Sequence, residues 1–144
     1  MKERKGDCMI KDANLGKELV VKMPNKVGIL ADISKILADR GINIEGVAGY
    51  AANNEASIMF VADDSLRAKE ALQKGGYKNV KENEVVVVDL ENKPGALKAI
   101  TAKLAAEKID IKYAYGTACP EGCPARIVLS TSDNEKALVS FKAK

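Results

Sequence analysis

The chain contains no histidine and no tryptophan, and only two phenylalanines and four tyrosines among 144 residues. Without imidazole, the commonest general base near neutral pH is missing, and a tetrahedral zinc site is short of ligands. Scarce aromatics remove the stacking platforms that single-stranded RNA binders place on their sheets. No apolar run approaches the ~20 residues of a membrane helix, and the start "MKERKGDCMIKDANLGK" is too polar for a signal peptide, so a cytoplasmic protein is expected. Three cysteines in that compartment are expected to be reduced, and an odd count argues against a disulfide framework. Charge of either sign is nearly balanced, 23 basic against 20 acidic residues. A net charge of +3 gives no case for nucleic acid or an anionic membrane. No Ser, Cys or Lys sits in a recognisable nucleophile setting, and an enzyme is not expected.

What the chain does have is an internal repeat. "NKVGIL" at 25 to 30 returns as "NKPGAL" at 92 to 97. At the same offset, identity recurs at Leu30/Leu97, Ile33/Ile100, Leu37/Leu104, Ala38/Ala105, Ile42/Ile109, Ile44/Ile111 and Gly49/Gly116. Leu30, Ile33 and Leu37, like Leu97, Ile100 and Leu104, have the i, i+3, i+7 spacing of an amphipathic helix. Ile42 and Ile44, like Ile109 and Ile111, alternate as on a half-buried strand. The period therefore switches from 3.6 to 2 at the same place in both copies.

At coarse grain, "ELVVKM" (18 to 23) is a strand, 28 to 40 a helix, and 42 to 51 and 55 to 62 are strands joined by the turn "NN". A helix from Leu66 ends at "KGG", where Gly75 or Gly76 offers a left-handed cap, and the chain then extends again. This is β-α-β-β-α-β. The second copy repeats it with "VVVVDL" (85 to 90), a helix from 95 to 107, strands at 109 to 118 and 124 to 131, and a helix from about Asn134, with no sixth strand after it. The fold class expected is α+β: two tandem ferredoxin-like domains, each an antiparallel sheet with helices on one face, spanning 18 to 84 and 85 to 144. Residues 1 to 17 form an N-terminal extension. A unit of ~65 residues buries only about 60% of its unfolded surface, so the copies are expected to lean on each other.

Gly28 and Gly95 stand where a strand turns into a helix. A missing side chain there leaves the first helical N–H groups open to a carboxylate, and the side-chain oxygens of Asn25 and Asn92 could accept from an ammonium. The bland alternative is that such residues merely start helices.

A strand, Asn-Lys-Pro-Gly-x-Leu, and a helix ending before "INI" resembles the ACT domain, the small regulatory module found beside amino-acid biosynthetic enzymes. The resemblance runs from about 18 to 144 and is strongest in "MPNKVGILADISKILADRGINI" and "LENKPGALKAITAKLAAEKIDI"; the first copy departs from the pattern by placing Val27 where Pro is usual. It implies an amino acid bound where paired domains meet, near the glycine loop of one and the strand after the first helix of its neighbour. Carried onto this chain, that nominates Asn25, Val27, Gly28, Ile29 and Leu30, then Asn92, Pro94, Gly95, Ala96 and Leu97, with Asn43, Ile44, Asp110 and Ile111 on the strand side. Val27, Ile29 and Ala96 suggest a small or apolar side chain on the ligand. The implied function is regulatory, without a cofactor, acting in trans on an enzyme or transcription factor. The alternative is a ligand-free interaction module of the same shape.

Two features lie outside the repeat. "CPEGCP" (119 to 124) is a two-residue insertion at a hairpin, readable as a Cys119/Cys123 thiolate pair or, as favoured here, a turn built from Pro120 and Gly122. The edge left by the absent sixth strand needs cover, from the segment around "CMIK", from "VKENEV" or from a second subunit. The second subunit is expected, and with it a homodimer, because the N-terminal segment has few apolar residues with which to dock.

Overall fold

The computed structural model describes residues 9–118 and 123–142. In chain order it contains β1 (Ile10–Pro24), α1 (Ile29–Asp39), β2 (Ile44–Ala52), β3 (Glu55–Ala62), α2 (Ser65–Lys74), β4 (Val80–Leu90), α3 (Ala96–Ala106), β5 (Ile111–Thr117), β6 (Ala125–Thr131) and α4 (Asn134–Lys142). The chain divides into two compact units. The central unit is Lys17–Asn83, and the composite unit joins the chain up to Gly16 to the chain from Glu84 onward.

In the central unit the strands lie in the order β2-β3-β1-β4. β1 runs antiparallel to β3 from Glu18↔Val61 to Pro24↔Glu55, and β2 pairs with β3 through Ala52↔Glu55. The β2–β3 turn has Asn53 and Asn54 both at positive φ, 53° and 66°, the backbone a two-residue hairpin of matching twist requires and asparagine tolerates. Leu19, Val21, Ile58 and Phe60 from the strands share one core with Ile33 and Leu37 of α1 and Ala68 and Leu72 of α2. α2 is capped by Asp64, whose carboxylate accepts from the Arg67 amide at 3.1 Å, and the chain leaves it through Gly76 at φ +101°.

In the composite unit the order is β1-β4-β6-β5. β4 pairs with β6 from Val86↔Leu129 to Leu90↔Ala125, and β5 with β6 from Ile111↔Thr131 to Thr117↔Arg126. Val86, Val88 and Leu90 share a core with Ile100 and Leu104 of α3, Leu129 of β6, and Ala137 and Phe141 of α4.

The expectation that a second subunit covers the open edge is corrected here. The first part of β1, Ile10 to Gly16, lies beside β4 in the place of the absent strand. The Glu91 amide donates to the Met9 carbonyl at 2.8 Å, Ala13 is 2% exposed in the core, and Met9 and Ile10 pack against that core. Few apolar residues suffice because a strand docks through its backbone as well as its side chains. In the central unit the same position is filled by the opening of β4, where the Lys22 amide donates to the Asn79 carbonyl at 3.1 Å.

Cys123 is disulfide-bonded, which corrects the expectation of reduced thiols; its partner lies outside the described residues. A single pair can form whatever the total count of cysteines, and a sulfur so held is no thiolate ligand. Cys119, Pro120 and Gly122, and with them the turn expected there, also lie outside the described residues. Among the described residues no helix is long and apolar enough to cross a membrane.

Candidate functional site

Both nominated glycines start their helices from the left-handed region. Gly28 has φ +95° and Gly95 φ +89°, and neither helix has a side-chain cap. Only glycine adopts that backbone freely, so the turn itself selects the residue. The loops differ in what lies over them. A Cβ placed on Gly28 would have no described atom within 4 Å, whereas one on Gly95 would meet the Met9 methyl at 3.8 Å.

Around Gly28 the nominated side chains point in different directions. Ile29 is buried in the core, Val27 is fully exposed, and Leu30 is about half exposed at 48%. Asn25 is exposed, and its amide donates to the Asn54 carbonyl at 2.8 Å, tying the loop to the β2–β3 turn. The second loop follows the same pattern, with Ala96 buried, Leu97 exposed at 53%, and Asn92 and Pro94 exposed.

The strand-side nominees sit elsewhere in each unit. Asn43 follows the C-terminal end of α1, about 16 Å of helix away from Gly28 at 1.5 Å per residue. Its amide donates to the Asp63 carboxylate and its carbonyl accepts from the Asp63 amide, both at 3.1 Å. Asp110 repeats this in the composite unit, with its amide donating to the Ser132 hydroxyl and its carbonyl accepting from the Ser132 amide, both at 2.9 Å. Ile44 and Ile111 are half-buried and pack against their cores. Within one unit, the structure does not bring these four residues to the glycine loop.

What the structure does bring to Gly28 is a concavity of about 480 Å³ inside the central unit. Its wall is the end of β1, the glycine loop, the first turn of α1 and the segment between α2 and β4. Ile29 is the one nominated residue that lines it. Met23, Pro24 and Ile29 give it an apolar side, and Lys22, Lys26 and Lys78 a cationic one. On the remaining side the Tyr77 hydroxyl donates to the Asp32 carboxylate. Burial of the ring disfavours the phenolate, and Asp32 adds its hydrogen bond and its negative charge; together they push the Tyr77 hydroxyl up to about 12. Tyr77 is thus a neutral donor at any physiological pH. Sequence reasoning missed Lys22, Lys26, Asp32, Tyr77 and Lys78. Asp32 had one available signal, an acidic residue in the first turn of its helix, where the dipole favours it.

Comparison with known proteins follows the same division of the chain. Residues 17–74 match the model of the ACT domain. No curated protein sequence matches the chain. Among solved structures, a protein from Bacteroides thetaiotaomicron is 27% identical with a TM-score of 0.81, over 90% of this chain and 88% of that one. The ligand-free regulatory subunit of aspartate kinase from Thermus thermophilus is 16% identical with a TM-score of 0.66, over 92% and 96% of the two chains. The corresponding subunit from Thermus flavus is 16% identical with a TM-score of 0.62, over the same shares. At that identity the kinase subunits share the fold alone.

Proposed function

We propose that this ACT-domain chain is a regulatory protein that binds a free amino acid at its glycine loops and acts by binding, without catalysis, on an enzyme or transcription factor in trans. The observation that carries the reading is Gly28: a left-handed start to α1 with open space above it and the exposed apolar side chains of Val27 and Leu30 beside it. The first amides of α1 face a carboxylate without hindrance, and a helix N-terminus favours such an anion by about 0.3 to 2 kcal/mol depending on burial. The Asn92 to Leu97 loop is the second candidate. The ACT match over 17–74 supports the same reading, since modules of that family are regulatory. The likeness of fold to subunits described as regulatory agrees with it.

Exposed Val27, Leu30 and Leu97 also favour a second reading, an interaction module that buries these side chains against a partner without a ligand. A thermal-shift panel of the twenty amino acids separates the two. Ligand at 100 times its dissociation constant stabilises by about 2.7 kcal/mol, so one amino acid, small or apolar, is expected to raise Tm. No response to any of them at millimolar concentration leaves the interaction module standing.

A further inference from the structure

The concavity beside Gly28 carries charge that the amino-acid reading does not use. Lys22 comes from β1, Lys26 from the glycine loop and Lys78 from the segment before β4, so three separate stretches of chain contribute lysines to the lining of one hollow. None of the three forms an ion pair among the described residues. Among the described residues, Asp32 supplies the one carboxylate of the lining, already accepting from Tyr77. Three cations against one anion leave an excess of two positive charges facing a space of about 480 Å³, large enough for a small metabolite.

The other copy of the repeat shows that this excess is no requirement of the fold. Lys93, the counterpart of Lys26, is held by Glu91 at 2.8 Å, and Glu91 stands where the central unit has Pro24. Asp89, the counterpart of Lys22, accepts from Nε and Nη2 of Arg126 at 2.8 and 3.1 Å. The same two positions are thus internally neutralised in the composite unit and cationic in the central one.

We propose that the hollow bounded by Lys22, Lys26, Lys78 and the Asp32–Tyr77 pair is a binding site for a small dianion, with Met23 and Ile29 receiving the ligand's carbon skeleton. Two negative charges on one small molecule, as on a dicarboxylate or a phosphate monoester, match the excess and satisfy ammonium groups that otherwise repel one another. The site stands apart from the amino-acid reading, so a dianion response without an amino-acid response supports it and counts only against that reading.

The test is calorimetric titration and thermal shift of the full chain with succinate and with inorganic phosphate, against sodium chloride at matched ionic strength, since screening alone alters exposed charge interactions. At least one probe is expected to raise Tm beyond chloride: succinate alone assigns a carboxylate ligand, phosphate alone a phosphate, and both assign charge as the determinant. Lys26→Gln and Lys78→Gln each weaken binding about two- to five-fold, the scale of a solvated ion pair. The double variant loses most of the response, while Lys103→Gln on α3 changes nothing. Both pocket lysines are exposed, so the unliganded Tm is expected to stay put; Lys26→Glu with Lys78→Glu, which reverses the charge, abolishes the response. No rise above chloride with either probe, or a rise that persists in the double Gln variant, overturns the proposal.

Discussion

The two units complete their sheets from opposite directions along the chain. In the central unit the edge strand comes last, as the opening of β4 after α2. In the composite unit it comes first, as the stretch of β1 before Gly16, with the other elements all following Glu84. The position asks only for a strand with one buried side chain in the right register. Val80 meets it in one unit at 7% exposure, and Ala13 in the other at 2%. The comparison teaches that equivalent sheet positions in two copies of a repeat can be filled from opposite directions along the chain.

The largest expected effect tests that equivalence. Burying a charge at either position leaves it uncompensated in an apolar core, so Ala13→Asp and Val80→Asp are each expected to destabilise their own unit by about 2 to 4 kcal/mol. Removing residues 1 to 16 exposes the β4 edge and is expected to produce aggregation, read by light scattering and circular dichroism. A truncated chain that stays soluble and unfolds with an unchanged Tm would falsify the role assigned to the first part of β1.

The glycine loops sharpen the comparison at a smaller scale. Gly28 and Gly95 share their backbone, so alanine at either position is expected to cost a similar ~1 to 2 kcal/mol for a left-handed residue with a Cβ. Ligand response should separate them. Gly28→Val fills open space above α1 and is expected to abolish binding there, whereas Gly95→Val, at the second candidate loop where an added Cβ would already meet the Met9 methyl at 3.8 Å, is expected to reduce the response less. Equal loss of response in both variants, measured on folded protein, shows that the loops act together.

The legible parts of this fold were those written twice in local periodicity. Ile33 and Leu37, and equally Ile100 and Leu104, show a helical stripe without reference to any neighbour, and all are 0 or 1% exposed. Asn53-Asn54 announced its turn because few other residue pairs tolerate two positive φ values. The stretch "IKDANLG" announced nothing, since its single buried residue acquires meaning only from the strand beside it. For the same reason "VKENEV" and "VVVVDL" read as separate strands, although β4 runs unbroken from Val80 to Leu90. The site was half legible: a glycine at a strand-to-helix turn is a local signal. Lys22, Asp32, Tyr77 and Lys78 meet only after the chain has passed through two helices and two further strands.

The smallest expected effect concerns the Asp32–Tyr77 pair, which the composite unit cannot form because Ala99 stands at the position equivalent to Asp32. The folded chain holds the Tyr77 proton up to about pH 12, while an unfolded chain releases it near pH 10. The folded state therefore binds the proton more tightly. The stability this contributes is fully present below pH 10 and is lost as pH rises from 10 towards 12. The quantity to follow is the difference between the native chain and Tyr77→Phe in urea unfolding at pH 9, 10.5 and 12, in which contributions common to both chains cancel. At pH 9 the native chain is expected to be modestly the more stable, by the hydrogen bond to Asp32, and the gap is expected to close by pH 12 as the phenol ionises beside the carboxylate. A gap that stays constant across that range would mean that the hydroxyl titrates alike in both states, and that Asp32 does not hold it.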